Sequence, residues 1–187
     1  MNFVHCSDWT LAGAGGEAWK MSGNLFGKQV INQAFTGSLT LPAINHMNFS
    51  KTFFYIDNDS DAFGTTLVSN TLLQASINYK SNVIGKMSAD GALTFSFVQM
   101  TMPEIVISVT FEHNAGAVIE KNANWRGEIA RLLRFRYVGT AFTVPSSTYT
   151  ARTAILDFAG KWEKFAKIGE QNCNDVLQGT FRCRYNA

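Results

Sequence analysis

A period of two governs the last third of the chain. Leu133, Phe135 and Tyr137 alternate there with Arg134 and Arg136. Because successive side chains of a strand point to opposite faces of a sheet, this pattern is typical of a strand with one buried and one exposed face. The same alternation of apolar and polar residues recurs at 75–79, 93–97, 105–111 and 177–185. The chain is therefore predicted to form antiparallel sheets that bury one face.

Only one segment, 117–131, has the period of an amphipathic helix. Val118, Trp125 and Ile129 recur near the helical repeat, although Gly127 weakens the middle of such a helix by about 1 kcal/mol. One helix among many strands predicts a mainly β fold, an antiparallel β-sandwich or barrel with one flanking α-helix. With 187 residues, no linker and no internal repeat, the chain is expected to form a single domain over 1–187.

The remaining predicted elements are shorter. Strands are expected at 18–22, 29–31, 38–41, 51–56 and 153–158, and the Asp90-Gly91 pair predicts a hairpin turn over 88–92. Long loops are expected at 41–48 and 57–64. The glycine-rich stretch 13–16 lacks the Lys-Ser or Lys-Thr pair of a phosphate-binding loop, so it is expected to be a flexible arm or a turn.

The cysteines indicate a reducing environment. Cys6, Cys173 and Cys183 are too few and too scattered for a disulfide framework, and unpaired thiols are typical of cytoplasmic synthesis. Cys183 falls on the apolar side of an alternating strand, where a thiol behaves as a small hydrophobic group. The N-terminus lacks the basic start and apolar stretch of a secretory signal. The apolar runs are far short of the roughly 20 residues that span a bilayer, so no membrane association is expected.

The charge is unevenly distributed along the chain. Residues 1–117 carry five basic and eight acidic side chains, whereas residues 118–187 carry eleven and six. One interpretation is ordinary scatter over a folded surface. The other is that opposite charges meet between neighbouring copies of the chain, where complementarity sets register and orientation. The overall net charge of +2 does not by itself indicate nucleic-acid or membrane binding.

The titratable residues do not form a recognisable catalytic pattern. Asp57, Asp59 and Asp61 alternate like the first calcium ligands of an EF-hand, but the required Gly and Glu are replaced by Ala62 and Val68. A solvated acidic loop is therefore expected. The histidines are widely spaced, and no nucleophile elbow or Cys-His pairing is recognisable. We expect no catalytic, cofactor-binding or metal-binding residues and no enzymatic activity.

The arginines of the C-terminal strands admit three interpretations. Arg134, Arg136, Arg182 and Arg184 face away from the predicted core. They could engage carboxylates of another subunit or form a plain solvated face. They could also bind single-stranded nucleic acid, with its bases stacked on nearby aromatic rings. Tyr137 and Tyr185 lie on the opposite, buried parity, which disfavours base stacking. The candidate inter-subunit residues are thus Arg134, Arg136, Arg182, Arg184, Asp57, Asp59 and Asp61.

Several segments together resemble one family of virion proteins. They are RLLRFRYVG at 131–139, AILDFAGKW at 154–162 and GTFRCRY at 179–185, with weaker similarity at 17–19, 24–27, 54–57, 63–66 and 90–95. This pattern of strands is similar to that of the major tail proteins, or tail tube proteins, of long-tailed (siphovirus-like) bacteriophages. The similarity spans most of the chain and consists of strand types rather than a fixed signature.

The resemblance implies a structural virion protein assembled in the host cytoplasm. Proteins of this family form hexameric rings that stack head-to-tail into the tube through which phage DNA is ejected. The implied partners are other copies of the chain, the tape measure protein, the tail terminator and the distal tail protein, while DNA passes through the lumen without specific binding. Terminal arms, expected here at 1–16 and 168–187, and a loop at 41–50 or 57–70 would reach the adjacent ring. The arginine strands would lie at subunit interfaces rather than in the lumen.

Three rival functions remain open at the level of sequence. A monomeric β-barrel could enclose an apolar small molecule, because fifteen Phe residues supply a large interior. Another phage ring protein of related fold, a tail terminator or a distal tail protein, would share the same pattern. A hydrolase on a β-sandwich is disfavoured, because neither a nucleophile nor a carboxylate pair is recognisable.

Overall fold

The computed structural model describes residues 2–29, 37, 38, 40, 44–91, 93–145, 147–171 and 174–183. The fold is mainly β, as the sequence predicted, and combines a curled antiparallel sheet with one short helical segment. The strands are β1 (Asn2–Ala14), β2 (Lys20–Gln29), β3 (Thr52–Asn58), β4 (Leu72–Lys80), β5 (Val83–Lys86), β6 (Phe97–Met100), β7 (Glu104–Glu112), β8 (Ala130–Ala141), β9 (Ala151–Gln171) and β10 (Asn174–Cys183).

Eight of these strands form the main sheet. Their order is β2-β1-β4-β7-β10-β9-β8-β3, with every neighbouring pair antiparallel, and β5 and β6 form a separate hairpin. The sheet curls until the turn after β1 meets the segment before β3. There the Trp19 amide donates to the Met47 carbonyl at 2.7 Å, and the Phe49 amide donates to the Glu17 carbonyl at 2.8 Å. Within the described chain, β2 and β3 are the edge strands of this sheet.

Strand β9 pairs with its two neighbours along different halves of its length. Residues 151–161 pair with β8 and residues 160–171 pair with β10, so the two ladders overlap only at Gly160 and Lys161. A Cβ on Gly160 would lie 2.1 Å from the Arg182 carbonyl oxygen, so only glycine fits this crossing. A strand that passes from one partner to the next makes a corner in a sheet. The sheet therefore folds over itself, and Phe54 of β3 faces Phe111 of β7 with ring centroids 6.0 Å apart.

Most of the alternate residues that the period of two predicted to be buried lie in the core, but Leu93 and Phe97 are 96% and 54% exposed. Ile77, Ile107, Phe135 and Phe181 are each at most 2% exposed. Aromatic rings fill the space between the folded halves of the sheet: Trp162 lies 4.9 Å from Phe165 and 5.1 Å from Phe181 between ring centroids. Aromatic side chains bury the largest apolar areas of any residues, so this cluster dominates the stabilisation of the fold.

The predicted helix over 117–131 is real but shorter than expected. An α-helix, α1 (Ala115–Ile119), continues as a π-helix over Glu120–Trp125, and the Asn114 side chain caps its start by accepting from the Ala117 amide at 3.1 Å. The helix ends in a turn where Glu128 has a φ of 52°. Residues 130 and 131 then belong to β8, because pairing with β9 satisfies their backbone groups.

The predicted terminal arms are strands of the main sheet. Residues 2–14, expected as most of a flexible arm, form β1 and pair with β2 on one side and β4 on the other. Gly13 is buried under the Phe49 ring, which lies so close that a Cβ at position 13 would be only 2.5 Å from it. The C-terminal segment expected as an arm contributes the end of β9 and all of β10. Residues 172, 173 and 184–187, which include Cys173 and Arg184, lie outside the described residues.

The other local predictions have mixed outcomes. A hairpin does enclose Asp90-Gly91, but a longer connection from Lys86 of β5 to Phe97 of β6 replaces the predicted tight turn, and residues 93–96 are not a strand. The strand predicted at 153–158 is a small part of β9, and the strand predicted at 51–56 corresponds to β3. The expected strands at 29–31 and 38–41 fall largely outside the described residues, where only Gln29, Ser38 and Thr40 are covered.

Candidate functional site

The predicted arginines differ in their surroundings. Arg134 donates from Nε and Nη2 to the two carboxylate oxygens of Asp157, both at 2.6 Å, and its guanidinium lies 5.7 Å from the centroid of the Phe63 ring. The hydrogen bond to Asp157 raises the pKa of Arg134 above its ordinary value. Arg182 contacts the carboxylates of Glu104 and Glu163. Both charges are therefore balanced within one copy of the chain.

Arg136 is the exception among the described arginines of this set. It is exposed on the outer face of β8, where Phe53 and Ile155 lie opposite it on the neighbouring strands. Phe53 and Ile155 are themselves 45% and 37% exposed. The proposed contact of Arg136 with another subunit stays a prediction that this exposed position permits. Arg184 lies outside the described residues.

Asp57 is buried, contrary to the expectation of a solvated acidic loop. It is 1% exposed, and its carboxylate accepts from the amides of Gly64 at 2.7 Å, Thr65 at 3.3 Å and Thr66 at 2.6 Å. These hydrogen bonds hold the loop after β3 against the outer face of the sheet. Alternation alone could not reveal this role, because Asp57 has outward parity and is covered by a loop instead of a strand. Its carboxylate acts within the chain.

Asp59 and Asp61 do lie at the surface, as expected. The Asp61 amide donates to the Asn58 carbonyl at 3.1 Å, and the Asp61 carboxylate accepts from the Asn58 side-chain amide at 2.8 Å. We call residues 58–61 the acidic turn. Its two backbone and side-chain bonds define a β-turn that projects from the end of β3. Both aspartates are exposed.

The outer side of β1, β4, β7 and β10 carries short, uncharged side chains in register. One row across the strands is Ala12, Ser76, Ser108 and Thr180, and the rows on either side continue the pattern. We call this surface the polar face; its members are Thr10, Ala12, Ala14, Gln74, Ser76, Asn78, Val106, Ser108, Thr110, Gln178 and Thr180.

The polar face follows directly from the alternation that builds the core. Ser108 and Thr110 point outward because Ile107, Val109 and Phe111 point inward. Charged residues of both signs surround it: Asp8, Lys20, Lys80, Glu104, Glu112, Lys161, Glu163, Lys164 and Arg182. The surface is therefore hydrophilic without a strong field of either sign.

Apolar residues are exposed on β2 and on the β5–β6 hairpin. Met21 and Leu25 of the edge strand β2 are 69% and 66% exposed. The hairpin lies beside β2, because the rings of Phe26 and Phe95 contact each other with centroids 5.9 Å apart. Exposed apolar residues on the hairpin and its flanks are Ile84, Met87, Leu93, Phe97, Met100 and Met102. Apolar surface next to an open strand edge is typical of a protein interface.

A buried ion pair was not anticipated from sequence. Glu120 of the π-helix and Arg131 of β8 form a salt bridge with Oε1 and Nη2 2.8 Å apart, and both residues are buried. Trp162 Nε1 donates to the same carboxylate at 2.9 Å. The parity that Arg131 shares with Leu133 and Phe135 was the available signal that it points inward. This cluster attaches the helical segment to the sheet.

The described residues carry little that resembles catalytic chemistry. Among them, no group of three or more His, Cys, Asp or Glu side chains could hold a metal ion. Burial raises the pKa of the Cys183 thiol to about 12, which fits its predicted inward position and makes it a poor nucleophile. No helix in the described part of the chain is long and apolar enough to cross a membrane.

The described residues define a mainly β protein with a hydrophilic outer face and with exposed apolar residues on the edge strand β2. A comparison with models of known protein families and with curated proteins finds no match to this chain.

Proposed function

We propose that this protein is a tail tube subunit of a long-tailed bacteriophage. In this role six copies would form a ring, and rings would stack into the conduit for DNA. The proposal builds on the resemblance of the strand pattern and on the mainly β fold with one helical segment. The observation that carries it furthest is the polar face. Two of its rows cross four neighbouring strands without a charged side chain, and the third is completed on β10 by Arg182.

The polar face has the properties that a DNA conduit needs. Duplex DNA carries one negative charge per roughly 1.7 Å, and each Lys or Arg that neutralises a phosphate adds affinity through counterion release. A lumen lined by basic side chains would therefore retain the DNA, and an apolar lumen would be poorly hydrated. Hydroxyl and amide groups hydrate the wall without holding phosphates. Arg182 borders this face, but its charge is balanced by Glu104 and Glu163.

The edge of β2 provides one surface for closing a ring, whereas the outer edge of β3 already pairs with residues 66–68 of the same chain. An unpaired edge favours association with another strand, and a contact that repeats by rotation closes into a ring. The β2 edge, flanked by Met21 and Leu25, offers such a surface at one side of the sheet. The exposed Arg136 and Phe53 beside the β3 edge offer a second, different surface at the other side. A heterologous interface joins two different surfaces of this kind.

The packed interior provides little support for the rival function, that of a β-barrel that binds a small molecule. Phe54, Phe111, Phe135, Trp162 and Phe165 occupy the space that a ligand would need, and each is at most 6% exposed. Another rival function, that of a tail terminator or distal tail protein, predicts single rings. Stacking of purified rings would distinguish a tube subunit from such a protein.

Negative-stain electron microscopy and light scattering of the purified protein test the proposal. We expect rings or tubes with a central hole wide enough for a DNA duplex. A species that remains monomeric at every concentration and salt would overturn it, and isolated rings that never stack would favour a terminator or distal tail protein.

A second experiment tests the role of the polar face. Ser108→Lys and Thr180→Lys add positive charge to its central row, and Ser147→Lys adds the same charge at an exposed loop position. We expect tubes of the first two variants to retain DNA at low salt and release it at high salt, whereas wild-type and Ser147→Lys tubes retain little. Equal retention by all four proteins would contradict a lumenal polar face.

A further inference from the structure

A cleft lies at the start of β3 and is rich in positive charge. Its volume is about 490 Å³, and its lining includes His46, Lys51, Tyr137 and Arg152. We call it the basic cleft. Among the described residues that line it there is no Asp or Glu, and Lys51 and Arg152 are exposed and form no ion pair with the part of the chain that the structure describes. Tyr137 fixes one wall by donating its hydroxyl to the His46 carbonyl at 3.3 Å.

One carboxylate on a segment that borders this cleft is already engaged. Glu17 lies on the segment that pairs with residues 48 and 49, but its carboxylate binds Lys20 at 2.8 Å. The Lys20 ammonium lowers the pKa of Glu17 and holds the carboxylate in its charged form. The positive charge of Lys51 and Arg152 is thus left for a group from outside the chain.

The acidic turn lies at the opposite end of the same strand. In the β3–β8 ladder, Thr52 pairs with Tyr137 at the cleft end, and Asn58 pairs with Arg131 at the turn end. A strand rises about 3.3 Å per residue, so the two features are separated by roughly 20 Å along β3. Lys161 shares a small groove with Asp59 but forms no ion pair with it among the described residues.

We propose that the acidic turn of one copy binds in the basic cleft of the next copy along the tube. The inference rests on the proposed function and names the surfaces that join one ring to another. Complementary charges at opposite ends of one strand generate a head-to-tail contact, which propagates instead of closing on itself. The backbone and side-chain bonds of Asn58 and Asp61 preorganise the turn, so little conformational freedom is lost on binding.

The chemistry of the cleft favours this occupant. Asp59 and Asp61 present two carboxylates on one short turn, and Lys51 and Arg152 present two cations on the walls of one cleft. Such exposed pairs contribute little affinity individually, but they determine orientation and register, and a stacked ring repeats the contact in every subunit. Inter-ring stacking is therefore expected to weaken as salt rises.

A charge-swap experiment tests the inference. Asp59→Lys places a cation on the turn, and Arg152→Glu places a carboxylate in the cleft. We expect each single variant to form rings but to raise the protein concentration at which tubes appear by about tenfold or more. The combined variant, Asp59→Lys with Arg152→Glu, reverses both surfaces and restores stacking. An equimolar mixture of the two single variants also restores it, because each reversed surface then meets an unlike charge on the other copy.

Glu170→Lys is the matched control, because it makes the same charge change as Asp59→Lys at an exposed position at the far end of β9. Circular dichroism melts show whether each variant is folded. The inference would be overturned if both single variants stacked as readily as the wild type, or if the charge swap failed to restore stacking. Either result would leave the tube proposal intact. Wild-type protein that forms no ring at any concentration would overturn both.

Discussion

Removing the carboxylate of Glu120 should strongly destabilise the fold. Glu120 accepts hydrogen bonds from Asn124 at 2.9 Å, from Arg131 at 2.8 Å and from Trp162 at 2.9 Å. In Glu120→Ala all three donors lose this partner, and the Arg131 guanidinium remains buried at 8% exposure. A buried charge without a partner is among the costliest defects that a single substitution creates.

The expected magnitude follows from the burial of both partners. Removing one member of a buried ion pair costs about 3–5 kcal/mol. Arg131 Nη1 keeps its hydrogen bond to the Asn58 side-chain carbonyl, but that group is uncharged, and Arg131 Nε has no hydrogen-bond partner among the described residues. In a chain of this size, 1 kcal/mol lowers Tm by about 2–4 °C, which gives an expected loss of roughly 6–20 °C. The double variant Glu120→Met with Arg131→Met should lose less free energy of unfolding than the sum of the losses of Glu120→Met and Arg131→Met measured singly. The reason is that the double variant leaves no unpaired buried charge.

Urea unfolding followed by tryptophan fluorescence and circular dichroism measures these losses. The matched control is Glu170→Ala, which removes an exposed carboxylate and should change the free energy of unfolding by less than about 0.5 kcal/mol. A folded Glu120→Ala variant within about 1 kcal/mol of the wild type would refute the assignment of a stabilising buried cluster, as would losses that are simply additive in the double variant.

Three smaller predictions concern the loop, the first strand and a thiol. Asp57→Asn should lower the free energy of unfolding by about 2–4 kcal/mol and speed proteolysis after β3, because hydrogen bonds to a charged group contribute about 1.5–3 kcal/mol each; unchanged cleavage would contradict the anchoring role. Gly13→Ala should cost about 1–3 kcal/mol because its Cβ meets the Phe49 ring, whereas Gly15→Ala, with its nearest neighbour at 3.8 Å, should cost much less in the same urea titration. Cys183 should be alkylated far more slowly in the native protein than in urea, as peptide mass spectrometry can report. Its pKa is about 12 in the fold against 9.0 ordinarily, so the unfolded chain loses this proton first and stability should fall as pH rises from 9.0 towards 12; a Cys183→Ala variant should lack that part of the pH dependence.

The sequence predicted the strands well because burial of one face imposes a period that needs no knowledge of partners. Residues such as Phe135 and Ile107 are buried as their parity requires. The first strand was mistaken for an arm because it ends in a glycine-rich stretch, in which Gly13 has no side chain that would reveal its burial. Gly13 is buried because Phe49, distant in sequence, packs against its backbone. A contact between distant segments has no local periodicity, so the sequence pattern could not reveal it.

The candidate surfaces were predictable only in part. Parity correctly placed Arg134 and Arg182 on the outer side of the sheet, but their partners Asp157, Glu104 and Glu163 depend on strand register, which no single segment encodes. Asp57 followed the outward parity and is nevertheless buried, because a loop folds over it. The polar face likewise emerges only when four strands are aligned.

The crossing at Gly160 makes one strand responsible for the geometry between two halves of the molecule. Strand β8 and the edge strand β3 connect to the remaining strands of the main sheet through the backbone of β9, and the shared pairing spans only two residues. Away from that point the two halves are also held together, by the backbone hydrogen bonds of Trp19 and Phe49 and by the packing of Phe54 against Phe111. A larger residue at position 160 would therefore strain the junction at which the two halves pair with the same strand.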